Sequence, residues 1–287
     1  GDNMGSKNGL LPRWYSSLGN IKLIVQKLRD IIPEIKPNKR GQPPKHPIRD
    51  YVVLIVLKEF KNASLRDAET DWSEYVCGKR IDHSVIHYWE QNIPAEIIEN
   101  AVRKAGKELE KILGYGFSVI DATSFANWHN ENSSFHVLTR VHEGTVYPVS
   151  VTMDTYSPIP NTKAVLIPGK GFLMADKWYD VNGVFRVVYK NGYIPLISPQ
   201  RTRGRGYWRR KARKVYSREW MKYRQRGRGE SVFGSLTNWF GDRLHTRKRL
   251  TTYLRSCARI LCYQIKMLIR AGSGCLRVCL LVMLVNN

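Results

Sequence analysis

Acidic residues are scarce in this chain of 287 residues: 24 Asp and Glu stand against 47 Lys and Arg, leaving a formal charge of +23. A globular surface that basic repels itself unless a polyanion neutralises it, so nucleic acid is the first partner to consider. Cysteine is scarce too. The five residues Cys77, Cys257, Cys262, Cys275 and Cys279 form no C-x2-C pair, which argues against a zinc ribbon and a disulfide framework and fits a reducing cytoplasm. The longest apolar runs, around Tyr51–Leu57 and Cys279–Val285, fall well short of the ~20 residues a membrane helix needs. Gly1–Leu10 has no apolar segment of the signal-peptide kind, so no membrane partner is expected. No glycine-rich phosphate loop or dinucleotide pattern follows a strand, which leaves nothing pointing to a small-molecule enzyme. What is abundant is core material: 43% hydrophobic residues with eight Trp and fifteen Tyr exclude wholesale disorder.

Periodicity divides the chain. Residues 1–47 form a basic segment in which Ile21, Ile24, Val25, Leu28 and Ile31–Ile32 follow a helical period, and the proline-rich Lys36–Pro47 reads as a linker or basic arm. Residues 48–114 read as a small all-helical domain for DNA binding or dimerisation. Val52–Leu57 with Phe60 makes an apolar helix after Pro47, and Ser64 with Asp67 has capping-box spacing. His83–Gln91 is a polar helix. Ile97/Ile98, Ala101/Val102, Ala105, Leu109 and Ile112/Leu113 mark a long one between Pro94 and Gly114. Residues 64–92 have the outline of a helix-turn-helix with His83, Ser84, His87 and Gln91 on a polar face, but the gap between its helices exceeds the usual ~3–4 residues.

From residue 115 the period becomes two. Phe117–Ile120 reads as a short strand ending at Asp121. Phe135–Val141 and Thr145–Met153 flank the turn His142-Glu143-Gly144, Phe172–Ala175 ends at Asp176, and Tyr193–Ile197 follows. Helix returns from Leu250 to Ile269, so residues 115–270 read as a mixed α/β domain. The apolar tail 271–287 has no assigned role. Between Met153 and Phe172, Pro158, Pro160 and Pro168 leave room for a helix of only a turn or two.

Two strands thus end in a carboxylate, Asp121 and Asp176. Acids at the carboxyl edge of central strands are held rigidly at the crevice of an open α/β sheet, where two could share Mg²⁺; either could equally cap the segment after it. A third, Glu230, shares a helical face with Tyr223 and Arg226, although Gly227 and Gly229 weaken helix there. Before it, Arg201–Arg228 holds thirteen Lys and Arg with one acid, Glu219, and is interleaved with Tyr207, Trp208, Tyr216, Trp220 and Tyr223. So dense a run of charge favours a phosphate partner, and the aromatics can stack on bases. Arg209, Arg210, Lys211, Arg213, Lys214, Arg224 and Arg228 are its candidate DNA contacts. Trp178 could stack on a base or pack, and His129, His136, His142 and His245 have no metal-ligand spacing.

The segment Tyr223-x2-Arg226-x3-Glu230 resembles the Y-x2-R-x3-E-x6-K signature of DDE-type cut-and-paste insertion-sequence transposases, with Thr237 where that pattern has Lys. Ala175-Asp176-Lys177-Trp178-Tyr179-Asp180 is similar to the surroundings of the family's second acid, and Val119-Ile120-Asp121-Ala122-Thr123-Ser124 to those of the first. The acids lie 55 and 54 residues apart, as in the compact branch without a large insertion.

The resemblance implies an RNase H-like mixed sheet flanked by helices, with Asp121, Asp176 and Glu230 as a catalytic triad holding two Mg²⁺ (or Mn²⁺) ions. Such a pair serves in-line phosphoryl displacement. It implies that Tyr223 and Arg226, and by their position Lys177 and Trp178, contact DNA near the cleaved end. The partners it implies are double-stranded element ends and target DNA, engaged beside the nucleoid, with a homodimer in the DNA complex left open. Thr237 and the short middle segment set a catalytically silent DNA-binding descendant beside this reading. A basic RNA-binding factor is a third.

Overall fold

The computed structural model describes residues 20–36, 44–201 and 204–272. Most of the Lys36–Pro47 linker and the whole Cys275–Val285 tail lie outside these. The first helix, α1 (Ile21–Ile31), opens where the Asn20 side chain accepts from the Leu23 N–H, and it buries Ile24, Val25, Leu28 and Ile31. Helix α2 (Ile48–Phe60) is buried all round from Tyr51 to Phe60, as its run of apolar residues demands. The reciprocal Ser64–Asp67 capping box opens α3 (Leu65–Asp67), which passes through a π-turn (Ala68–Trp72) into α4 (Ser73–Cys77) and stops at Gly78 with φ +78°. Helices α5 (His83–Asn92) and α6 (Ala95–Leu113) complete the front end.

The sheet follows: β1 (Phe117–Ala126), β2 (Asn132–His142), β3 (Thr145–Met153), then α7 (Pro158–Val165), β4 (Phe172–Ala175), α8 (Asn182–Lys190) and β5 (Ile194–Ile197). Its order is β3-β2-β1-β4-β5, with β1, β2 and β3 antiparallel and β4 and β5 parallel to β1. This is the expected RNase H-like mixed sheet. The β2–β3 turn is closed by Glu143 and Gly144, both at positive φ, the combination a two-residue hairpin loop favours. Helix α7 runs eight residues, the turn or two its prolines allow.

After β5 come the basic helix α9 (Tyr207–Tyr223), a 3₁₀ segment (Arg224–Glu230), α10 (Ser231–Phe240) and the long α11 (Arg249–Gly272). Helix α11 lies against α6 and α2, and α6 packs on β3. At that contact Gly106 comes so close that a Cβ there would stand 2.6 Å from the Val149 Cα. One continuous apolar core therefore runs from α1 and α2 through the α6–α11 pair to the sheet. Among the described residues no helix is long and apolar enough to cross a membrane.

One boundary differs from the sequence reading with consequences for the site. Strand β1 does not stop at Asp121 but runs on to Ala126, because the long partner β2 pairs with it over its whole length, Asp121 opposite Val137. The polar Ala122-Thr123-Ser124 is carried by that ladder rather than by burial. Asp121 is therefore a mid-strand residue at the level where the parallel neighbour β4 ends.

Candidate active site

The strand register brings the first two acids together. Ser118 and Val119 of β1 pair with Leu173 and Met174 of β4, and continuing that parallel register by two residues sets Asp121 beside Asp176. Asp176 caps the 3₁₀ turn Lys177–Tyr179, its Oδ1 accepting from the Trp178 N–H at 2.9 Å. The Tyr223 hydroxyl, at the end of α9, donates to the Ala175 carbonyl at 3.1 Å and so braces the residue just before Asp176.

Glu230 arrives from 109 residues further along than Asp121, and Arg226 joins the two. Its Nη1 lies 3.0 Å from Asp121 Oδ2 and its Nη2 lies 2.8 Å from Glu230 Oε1. The Arg226–Glu230 spacing expected on a helix survives, although the glycines tighten the chain there into a 3₁₀ segment. Burial raises the Asp121 carboxyl above its ordinary range, and the Glu230 and Asp176 charges push the same way against the Ala122 N–H and Arg226. The three acids are thus linked through Asp121. They do not close tightly: among the described residues, the one set of three Asp, Glu, His or Cys with ligand atoms all within 4.8 Å is Glu69, Asp82 and His83. That set is a fold clip, since Arg80 holds Glu69 Oε1 and the His83 N–H and ring nitrogen hold Oε2.

Gly229 sets how closely Glu230 approaches the sheet. A Cβ on it would stand 2.8 Å from the Cβ of Val119, the third residue of β1. Gly229→Ala is therefore expected to cost about 1–3 kcal/mol of stability, as overpacking does. It should also shift Glu230 and lower any cleavage activity by more than the stability loss explains. Thermal unfolding and DNA nicking on the same preparation check this; unchanged values for both would show that the turn has room to spare.

A cleft of about 340 Å³ opens at the same end of the sheet, lined by Asp121, Ser134, His136, Asp154, Asp176 and Trp178 among others. His136 is its organiser. Nδ1 pairs with the Tyr179 hydroxyl, Nε2 lies 3.0 Å from Asp154 Oδ1, and Trp178 stacks on the ring at 5.4 Å between centroids. Asn161 adds a donor to Asp154 Oδ1 at 2.6 Å. Burial alone would raise Asp154, but His136, the Tyr156 N–H and Asn161 overcome it and hold the carboxyl below its usual range. Sequence reasoning missed this cluster, and the available signal was faint: Ser134 and His136 alternate onto one face of β2, and Asp154 follows β3 directly.

The family described as "Transposase DDE domain" matches residues 113–265, just over half the chain and the whole span from Asp121 to Glu230. The chain belongs to the DDE transposase family. An uncharacterised protein of Aquifex aeolicus (strain VF5) is 26% identical to it over 287 residues, with 89% of each chain covered. No solved structure shows a significant match. Membership makes this a transposase-family protein of DNA recombination, with a DNA substrate and a divalent metal as the family's general requirements.

In this DDE chain the residues suit such a metal. The donors are hard carboxylate oxygens, Asp121 is half-buried and raised by that burial and then by the Glu230 and Asp176 charges, and the gap between Asp121 and Glu230 already selects a cation, the Arg226 guanidinium. The basic stretch divides in two. Arg210, Lys211, Lys214, Arg224 and Arg228 are exposed, Lys211 lying over the Tyr189 ring at 4.5 Å and Arg224 over Trp220 at 5.2 Å. Arg209, expected on DNA, is instead buried: its Nε binds Asp180 Oδ1 at 2.9 Å, and Arg213 reaches Asp180 Oδ2 at 3.4 Å. Asp180 is itself fully buried and needs that charge, so these two arginines pin α9 to the turn after Asp176. Lys177 is exposed and Trp178 is 36% exposed despite its stack. In residues 64–92 six acids outnumber three bases, an unfavourable surface for a DNA backbone.

Proposed function

We propose that this chain cuts DNA strands at the ends of an insertion sequence and joins the freed end to target DNA. Asp121, Asp176 and Glu230 are the carboxylates that hold its two divalent ions, Mg²⁺ with Mn²⁺ able to substitute. The observation that supports this reading is the Arg226 bridge between Asp121 and Glu230, with Asp176 set beside Asp121 by the β1–β4 register. When bound, such an ion pair neutralises charge on the attacking and leaving oxygens of a phosphoryl displacement.

The chain's own residues do the rest. Rigid β1 and β4 fix Asp121 and Asp176, and the Tyr223 hydroxyl braces the β4 end through Ala175. Arg210, Lys211, Lys214, Arg224 and Arg228 line the approach with exposed charge that binds backbone phosphates. Lys177 and Trp178 flank Asp176 where the strand to be cut would lie. Water attacks phosphorus and the DNA 3′-oxygen leaves as a hydroxyl; that 3′-hydroxyl then attacks a target phosphodiester and displaces the target strand's 3′-oxygen, so no side chain serves as a covalent nucleophile. The substrate is double-stranded DNA, met at the nucleoid, and a homodimer in the DNA complex fits two element ends.

A silent DNA-binding descendant remains the second reading because Thr237, exposed on α10, offers no cation where the signature has Lys. Incubation of end-bearing duplexes with the full chain separates the two. Nicks that need Mg²⁺ or Mn²⁺ and vanish with chelator are expected. Salt-sensitive binding without metal-dependent nicking would favour the silent protein.

A further inference from the structure

Three carboxylates gathered at one end of a sheet repel each other, and a resident cation answers that repulsion here. Arg226 gives one N–H arm to Asp121 and another to Glu230, at 3.0 and 2.8 Å. A guanidinium keeps its proton in any protein environment, so the charge it places between the two acids is permanent. The same oxygens are the ones the proposed metal site requires. Carboxylates cannot serve Arg226 and a divalent cation in the same gap, because the guanidinium both occupies the lone pairs and repels a second positive charge.

The surroundings of Arg226 also supply what would draw it away. It is followed by Gly227 and Gly229 on a 3₁₀ segment, at the end of a helix whose exposed Arg210, Lys211 and Lys214 favour DNA phosphates. Phosphate is an oxygen acceptor that a guanidinium fork binds bidentately, a match for the carboxylates it would leave.

We propose that Arg226 is an exchangeable counter-ion: it holds Asp121 and Glu230 in the DNA-free chain and releases them to a divalent cation when a DNA phosphate takes its guanidinium. This rests on the reading of the carboxylates as the metal site. The consequence is heterotropic coupling, in which DNA tightens metal binding and metal tightens DNA binding by the same factor. The free chain is thereby kept from loading metal before it has DNA to cut.

The test is Mn²⁺ binding to the full chain, followed by the electron paramagnetic resonance of free Mn²⁺, without any activity readout. The site is defined as binding that Asp121→Asn removes. Arg226→Gln is expected to bind Mn²⁺ about tenfold more tightly than the wild type without DNA. Arg226→Lys, which keeps a charge but loses the fork, falls between and serves if the Gln variant folds poorly. Arg186→Gln removes an equal charge from an exposed position on α8 and leaves the affinity near wild type. Duplex DNA should tighten binding much more for wild type than for Arg226→Gln. Equal Asp121-dependent affinity in wild type, Arg226→Gln and Arg226→Lys overturns the exchange, as does an equal gain from Arg186→Gln. Absence of Asp121-dependent binding in every variant, with and without DNA, overturns instead the metal-site reading beneath it.

Discussion

Asp121→Asn is expected to reduce metal-dependent DNA cleavage by about a thousandfold or more while leaving duplex binding intact, and Asp176→Asn and Glu230→Gln should do the same. The magnitude follows from the several kcal/mol that a correctly held metal contributes to a phosphoryl-transfer transition state, at about 1.4 kcal/mol per tenfold. Binding survives because the exposed cations of α9 and the 3₁₀ segment supply the phosphate contacts. The accompanying stability change has the opposite sign to an ordinary core mutation. Asp121 has a raised pKa from burial and from the Glu230 and Asp176 charges, so its ionised form costs stability near neutral pH, a cost relieved as pH falls through the folded pKa. Asp121→Asn should therefore unfold no more easily than wild type at pH 7. A variant that loses cleavage together with its fold would show that Asp121 is structural.

The largest stability effect belongs to Glu59, far from that chemistry. It is 1% exposed and sits among Lys58, Arg255 and Arg259, while Lys58 also binds Glu90 Oε1 at 2.7 Å. Burial alone would raise its pKa. The Arg255, Lys58 and Arg259 charges overcome that and bring it down to about 2. Glu59→Gln leaves three cations facing one remaining acid in the seam between α2 and α11, and should cost about 3–5 kcal/mol. Because the folded pKa lies below the ordinary 4.5, this contribution is present above about pH 4.5 and is lost as pH falls toward 2. Urea unfolding at pH 7 and again near pH 2.5 should show the gap between wild type and Glu59→Gln narrowing. A gap that stays constant would mean that the ion pairs contribute nothing net.

Part of this molecule could be read directly from its residues. The stripe between Pro94 and Gly114 became α6, Glu143-Gly144 became the hairpin turn, and two of the acids named by their motifs, Asp121 and Glu230, are joined by Arg226. What stayed hidden depends on long-range partners. The end of β1 is set by β2, whose ladder carries the polar Ala122-Thr123-Ser124 beyond Asp121. Arg209 looks like every other cation in its run until Asp180, buried 29 residues earlier, claims it. His136 shows no spacing pattern because its partners Tyr179, Asp154 and Asn161 come from three separate loops and helices. Arg226 fits a phosphate-contact signature, yet its fork closes on two of the three acids.

Anomalous X-ray scattering from crystals of the full chain with end DNA and Mn²⁺ tests the central claim most directly. Mn²⁺ signal bonded to carboxylate oxygens of Asp121, Asp176 and Glu230 is expected, with the Arg226 guanidinium turned onto a DNA phosphate. Signal confined to Glu69, Asp82 and His83, or no metal at the three carboxylates while Arg226 still bridges Asp121 and Glu230 in the DNA complex, would contradict it.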